Sequence, residues 1–169
     1  TRLAIDLAIR FKTEIISADS RQFFKELSIG TAKPSQAEMK EITHHLIHSH
    51  SVTQQVTAGI YGDAVRTLLN RLFTTHDVVI MAGGSGLYID AVIHGMDKLP
   101  PADHVIRQEL ENLFQKGGIT ALQEKLKESD LATYDRIDIN NPRRLIRALE
   151  VTTATGQPYS AHLGKHESK

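Results

Sequence analysis

The sequence predicts an α/β protein, a parallel sheet flanked by helices and carrying a small helical insertion. Three observations carry that prediction. A continuous apolar run, Asp77-Val78-Val79-Ile80-Met81-Ala82, has the pattern of a strand buried on both faces of a parallel sheet. A second apolar run over residues 14–18 stops abruptly at Asp19-Ser20-Arg21-Gln22. Helical periodicity separates and follows both runs, and strand–loop–helix alternation is the signature of a parallel sheet covered by helices.

Taken in order, Leu3, Ala4, Leu7, Ala8 and Phe11 recur at helical spacing and predict an amphipathic helix over residues 1–11. The strand at 14–18 follows. Pro34 closes an irregular segment, and Ser35 is placed to cap a short helix ending near Ile42. A short strand is expected around His45-Leu46-Ile47-His48. Ile60, Ala64, Val65, Leu68, Leu69 and Leu72 then define a helix from Thr57 to Phe73. After the strand at 77–82 comes Gly83-Gly84-Ser85-Gly86, and a helix through Leu87, Ala91 and Val92 that Gly95 stops. Beyond Pro100-Pro101 the pattern changes to two charged helices over 103–129, broken at Gly117-Gly118 with no strand between them. Asn141 and Pro142 supply an N-cap and a first-turn proline for a helix running to about Thr155. The expected organisation is therefore an α/β core of residues 1–100 and 142–169, interrupted by a helical insertion over 101–141.

Bulk properties narrow the function. Lys+Arg and Asp+Glu each number 20, so the chain is formally neutral, which argues against a general polyanion binder but leaves room for a local basic patch. There is no cysteine, hence no disulfide and no thiolate metal site. No run of 18 apolar residues and no basic-then-apolar leader occurs, so neither a membrane span nor secretion is expected, and a cytoplasmic location fits. Residue 1 is Thr, and the polar tail Gly164-Lys165-His166-Glu167-Ser168-Lys169 carries no packing element; both features are those expected of a fragment.

Three groups of residues could carry chemistry. Ligands of open α/β sheets gather at the carboxyl ends of strands, so Asp19 stands where a general base or metal-side ligand belongs; it or Ser20 could equally cap a following helix. Gly83-Gly84-Ser85-Gly86 joins a strand to a helix, which suits close backbone approach by an anion but also a simple tight turn. Arg143, Arg144 and Arg147 fall within about 100° on the helix wheel, opposite Leu145, Ile146 and Leu149. That face could grip phosphate oxygens, or it could be an ordinary solvated face pairing with Glu150 or Asp138. Arg107 invites the same two readings. His44, His45, His48 and His50 lack metal-ligand spacing and an accompanying carboxylate, and Asp130, Asp135 and Asp138 lack the glycine and closing glutamate of a calcium loop.

Five segments together resemble the tRNA dimethylallyltransferase (tRNA isopentenylpyrophosphate transferase) family: Ile16 to Gln22, Ile29-Gly30-Thr31-Ala32-Lys33-Pro34, His44-His45-Leu46, Gly83-Gly84-Ser85-Gly86-Leu87-Tyr88, and Arg143-Arg144-Leu145-Ile146-Arg147-Ala148-Leu149-Glu150. They occur in the family's order and at its approximate spacing. Thr1 matches the hydroxyl residue that ends the family's phosphate loop; the loop's glycines, its lysine and the preceding strand are absent here, as is the family's C-terminal portion. Two departures concern fine positioning: Ser85 replaces the usual Thr, and Phe23-Phe24 replaces an aliphatic–Tyr pair.

The resemblance implies a P-loop NTPase-like fold and transfer of a dimethylallyl group from dimethylallyl diphosphate to N6 of an adenosine beside the anticodon of tRNA. It implies Mg2+ with the diphosphate, Thr1 on the metal or a phosphate oxygen, Asp19 as base toward the amine, and Ser85 at the reacting end. It further implies tRNA contacts from Asp19, Ser20, Arg21, Gln22, Ser85, Arg107, Arg143, Arg144, Leu145, Ile146 and Arg147, with the insertion helping to hold the anticodon stem-loop, in a monomeric enzyme. Rival readings are a prenyltransferase of free adenine nucleotides, a small-molecule P-loop kinase and a non-catalytic RNA-binding fragment. The fragment by itself is expected to be inactive, because a missing central strand leaves sheet edges unpaired.

Overall fold

The computed structural model describes residues 1–97, 99–101 and 103–164, and divides into a unit Thr1–Met96 and a second unit that begins at Asp97. In the first unit, helix α1 (Arg2–Phe11) leads into strand β1 (Ile15–Ser17), followed by α2 (Gln36–Glu41), β2 (His44–His45), α3 (Ala58–Leu72), β3 (Ile80–Ala82) and α4 (Gly86–Ile93). The three strands form a parallel sheet in the order β2-β1-β3, with Ile16 opposite His45 on one side and Met81 on the other. The central strand is wholly buried, as its Ile-Ile sequence requires.

Local signals set the helix starts. Ser35 accepts from the Glu38 amide while Glu38 returns a bond to the Ser35 amide, a reciprocal cap that satisfies two otherwise free donors. Thr57 caps α3 through the Ile60 amide. The inward stripes keep part of the expected sets: Ala4 and Ala8 of α1, and Val65, Leu68, Leu69 and Leu72 of α3, pack into the core. In α1 the buried residues are Ile5 and Ala8, while Leu3 and Phe11 are exposed; in α3 they include Tyr61, Val65 and Leu72, while Ile60 is exposed. Tyr61 reaches the core because Phe23 stacks on it at 5.3 Å between ring centroids and Tyr88 meets it edge-on at 5.0 Å. Its hydroxyl donates to the Ser17 carbonyl at 3.0 Å, and burial pushes that phenol far above its ordinary range.

Strand β3 is shorter than expected and half-buried rather than buried on both faces, with Val78 exposed before it. The reason lies in the strand order: β3 pairs on one side with β1 and is an edge strand among the described residues.

The second unit is helical: α5 (His104–Ser129), α6 (Leu131–Tyr134), α7 (Pro142–Thr155) and a 3₁₀ turn (Tyr159–His162). The expected break is present as a non-helical Gly118 at φ 66° inside α5. Asn141 caps α7 through the Arg143 and Arg144 amides, Pro142 opens it, and Gly156 ends it in the left-handed region at φ 67°. The organisation departs from the expected boundary at residue 142. Helix α7 packs Leu145, Ala148 and Leu149 against Leu110, Leu122 and Leu126 of α5, so it shares a core with the helices read as an insertion. Apolar periodicity identifies a face to be buried and is silent about its partner. Residues 165–169 of the expected tail lie outside the described residues.

Candidate functional site

The exit of β1 is built by close contact with the exit of β3. Ala18 donates to the Ala82 carbonyl at 2.8 Å, and its own carbonyl accepts from the Ser85 amide at 3.0 Å. A Cβ at Gly83 would stand 2.2 Å from the Ala18 carbonyl carbon and oxygen, so only glycine fits there. A Cβ at Gly84 or Gly86 would meet nothing within 4 Å, so packing asks for no glycine at either. The Ser85 hydroxyl accepts from the Ser20 amide at 3.0 Å. Asp19 Oδ1 accepts from the Arg21 amide at 2.9 Å, folding the segment into a tight side-chain-capped turn. Asp19 and Ser85 thus stand beyond the carboxyl ends of adjacent parallel strands, with the Ser20 amide bonded to Ser85.

Gln22, expected at the RNA, also has a structural part. Its Oε1 accepts from Ser17 Oγ at 3.0 Å, and its Nε2 donates to the carbonyls of Thr31 and Ala32, each at 3.2 Å. The side chain therefore clamps the Gly30–Pro34 loop onto the end of β1. Thr31 closes the same loop on the Leu27 carbonyl at 3.1 Å. Lys33 donates to the Phe24 carbonyl and faces His48 Nδ1 at 3.2 Å, and burial pushes its ammonium below the ordinary lysine range against the opposing pull of Glu26. The clamp frames a cavity of about 330 Å³ lined by Thr1, Ser17, Gln22, Ala32, Pro34, His44 and Gly83 among others.

Thr1 begins α1 but makes no side-chain cap, so its hydroxyl is available to that cavity. This fits Mg2+ as a single oxygen ligand. Among the described residues no three His, Asp or Glu side chains converge on a possible metal position, so phosphate oxygens and water would have to complete the shell. Of the clustered histidines, His45 pairs with Glu14, and His44 Nδ1 meets the Ile42 carbonyl at 2.8 Å.

In the second unit, Arg143 and Arg144 are exposed, and among the described residues no ion pair or side-chain hydrogen bond engages either. Arg107 and Arg147 both grip Glu150, at 3.0 and 2.9 Å, and Arg147 also donates to the Pro100 carbonyl at 2.8 Å. Burial alone would raise the Glu150 carboxyl; the two guanidiniums overcome it and hold the group below the usual carboxylate range. Leu145 is fully buried and Ile146 is 9% exposed, both in the core shared with α5, so neither side chain is presented to a ligand as expected of them. Arg143, Arg144 and Arg147 line a groove of about 360 Å³ together with Ile137, Asn141, Ala148 and Tyr159.

Tyr159 carries no signal in the sequence, whereas the expected alternative of an arginine face pairing with Glu150 is present for Arg147. Arg147 and Glu150 stand three apart on one helix, a legible pair, but Arg107 joins from 43 positions away. Asp130, dismissed as a calcium ligand, is a buried junction. It accepts from the amides of Thr133 and Ser160 and from both of their hydroxyls, and those bonds lower its carboxyl against the opposing effect of burial.

Residues 22–169 match a family model described as IPP transferase. A tRNA dimethylallyltransferase of Cytophaga hutchinsonii is 46% identical over 161 residues, covering 95% of this chain and 53% of its own length. The tRNA isopentenylpyrophosphate transferase of Bacillus halodurans superposes with a TM-score of 0.54 at 36% identity, over 92% of this chain and 52% of that one. A eukaryotic dimethylallyltransferase acting on tRNA gives a TM-score of 0.75 at 20% identity, over 99% of this chain and 42% of its own, a likeness of fold. These likenesses bear out the expected P-loop NTPase-like α/β class. The chain spans about half the length of the curated relatives it matches.

Proposed function

The chain belongs to the IPP transferase family, and from that premise we propose that the full-length protein transfers a dimethylallyl group from dimethylallyl diphosphate to N6 of an adenosine next to the anticodon in tRNA. The observation that carries the reading is the bonding of the 18–20 segment, which holds Asp19, to Ser85 at the ends of β1 and β3, next to a cavity that Thr1, Ser17 and Gly83 line. A carboxylate and a hydroxyl on rigid strand ends suit a reaction in which one proton leaves as one bond forms.

In this mechanism Asp19 accepts a hydrogen bond from the exocyclic amine and takes its proton as nitrogen attacks the allylic C1. The N6–C1 bond forms, the C1–oxygen bond breaks, and diphosphate departs with the electron pair. The amine lone pair is delocalised into the adenine ring, so a positioned base contributes roughly 10² to 10⁴ in rate. Ser85 Oγ already accepts from the Ser20 amide, leaving its own proton for substrate at the reacting end. Thr1 would hold a phosphate oxygen or Mg2+, and the cation when bound would supply positive charge beside the diphosphate. Ser20 and Arg21, beside the base, and Arg143, Arg144 and Arg147, along the groove, take tRNA backbone and splayed bases of the anticodon stem-loop. Arg107 supports them from α5. No described helix is long and apolar enough to cross a membrane, and the reading brings with it a cytoplasmic monomer.

The test is label transfer from dimethylallyl diphosphate to tRNA by the full-length protein, beside Asp19→Ala. We expect label in tRNA that falls at least about a hundredfold in the variant while tRNA affinity holds. Label that persists in the variant removes Asp19 from its role. Label only in free adenine nucleotide, or turnover of ATP instead, overturns the substrate assignment.

A further inference from the structure

Glu150 has no part in the reaction above, and yet it is wholly buried and ionised. A carboxylate taken out of water is tolerated only with good partners. Here Oε1 accepts from Arg107 Nε at 3.3 Å, and Oε2 accepts from Arg107 Nη2 at 3.0 Å and Arg147 Nη1 at 2.9 Å. The arrangement is lopsided in charge. One carboxylate serves two guanidiniums, so the cluster keeps a net positive charge. It is lopsided in exposure too: the carboxylate side chain is 1% exposed, while the Arg107 and Arg147 side chains are 40% and 30% exposed. Each guanidinium has five N–H donors, and the bonds to Glu150 and Pro100 leave some of them uncommitted.

Arg147 lines the same groove as Arg143 and Arg144, and these two have no side-chain partner among the described residues. Without an anchor, a side chain as long as arginine must be ordered by the ligand itself, which costs affinity. The geometry points to Glu150 as a positioning residue for tRNA binding: it fixes Arg147, with Arg107 as a brace, so that uncommitted N–H donors meet a backbone phosphate in the groove. This rests on the proposal that the protein binds tRNA.

A residue that merely neutralised two cations would act with the opposite sign. Glu150→Gln removes a negative charge beside the groove. If neutralisation were its purpose, a polyanion would bind the variant more tightly. If position is its purpose, the freed Arg147 loses its phosphate and binding weakens. The salt dependence separates both from simple misfolding, because the slope of log affinity against log salt counts phosphate contacts and is indifferent to the fraction of protein that is active.

The experiment is equilibrium binding of an unmodified tRNA transcript to the full-length protein over a range of salt. Glu150→Gln is expected to weaken binding by about tenfold, as loss of a charge-assisted hydrogen bond does. The salt slope should become shallower by about 0.7 to 0.9, one phosphate contact. Prenyl transfer at saturating tRNA should hold its kcat, the loss lying in KM. Arg147→Met should produce the same loss and add nothing in the Glu150→Gln background. Affinity unchanged or tighter, or weakened with an unchanged slope, overturns the inference. Should Glu150→Gln not fold, Glu150→Asp keeps the charge and withdraws it by one methylene; undiminished affinity there overturns the inference as well. A wild-type protein that does not bind tRNA overturns the tRNA reading, and this one with it.

Discussion

Replacing Gly83 by alanine should break the junction on which Asp19 and Ser85 depend, while the same change one residue later should do almost nothing. The added Cβ would lie 2.2 Å from the Ala18 carbonyl carbon and oxygen and 2.8 Å from its Cα, where ordinary contact begins at 3.4 Å. The obstacle is backbone of a fully buried residue, so no side-chain rotation relieves it. The strand ends must part by about 1.2 Å, the difference between those contact distances. That separation carries the Ala18–Ala82 bond of 2.8 Å and the Ser85–Ala18 bond of 3.0 Å out of range, and with them the Ser20–Ser85 contact of 3.0 Å. Three hydrogen bonds at about 1 kcal/mol each, plus about 1–2 kcal/mol of overpacking, amount to about 4–5 kcal/mol. Native-state hydrogen exchange of the Ala18, Ser20 and Ser85 amides reads this directly, with protection falling about 10³-fold, one decade per 1.4 kcal/mol. Gly84→Ala meets nothing within 4 Å and should stay within about 0.5 kcal/mol of wild type. Protection unchanged in Gly83→Ala, or lost equally in Gly84→Ala, would refute the account of this junction.

Gln22→Leu removes the partners of Ser17, Thr31 and Ala32 together, so the 30–34 loop should open and become the first site of limited proteolysis; an uncut loop would show that Gln22 is not its clamp. Leu122→Ala empties a fully buried position between α5 and α7 and should cost about 2–5 kcal/mol in urea unfolding, and a cost under 1 would contradict the packing described. Acid stability follows from Glu150 and Asp130, whose ordinary values are 4.5 and 3.8 and which the fold lowers. A lowered carboxyl stabilises the fold above its unfolded value, and that contribution is lost as pH falls through the folded value. The urea midpoint should therefore stay level down to about pH 5 and drop below the ordinary values, less steeply in Glu150→Gln; a midpoint that rises with acid would reverse the sign of the argument.

Helix termini were legible because their signals are local. Ser35, Thr57 and the Asn141-Pro142 pair each satisfy donors within four residues, so the chemistry that starts the helix is written beside it. The same holds for the strand-to-helix loop at 83–86, whereas the site roles of Asp19 and Ser85 are what the family resemblance implies. Partnership across long separations was not legible. A stripe of leucines on α7 states that a face will be buried, and only the folded chain shows that Leu110, Leu122 and Leu126 bury it. Leu145 and Ile146 fell on the wrong side of that line: they belong to a motif resembling an RNA-binding one, and their own apolar nature sends them to the core. The loop-clamping part of Gln22 was equally hidden, since its three partners lie 5, 9 and 10 residues from it.

By itself the sequence determined the α/β class, the family, the beginnings and ends of the main helices, and the strand ends that carry polar side chains. These depend on periodicity, capping and turn chemistry, which act over a few residues. The tertiary structure alone decided that β3 lies at the edge of the sheet among the described residues, that α7 joins the helical unit, and that Glu150 is a buried anchor rather than a surface partner. Burial and charge pairing are set by which distant segments meet, and no local pattern encodes the identity of the partner.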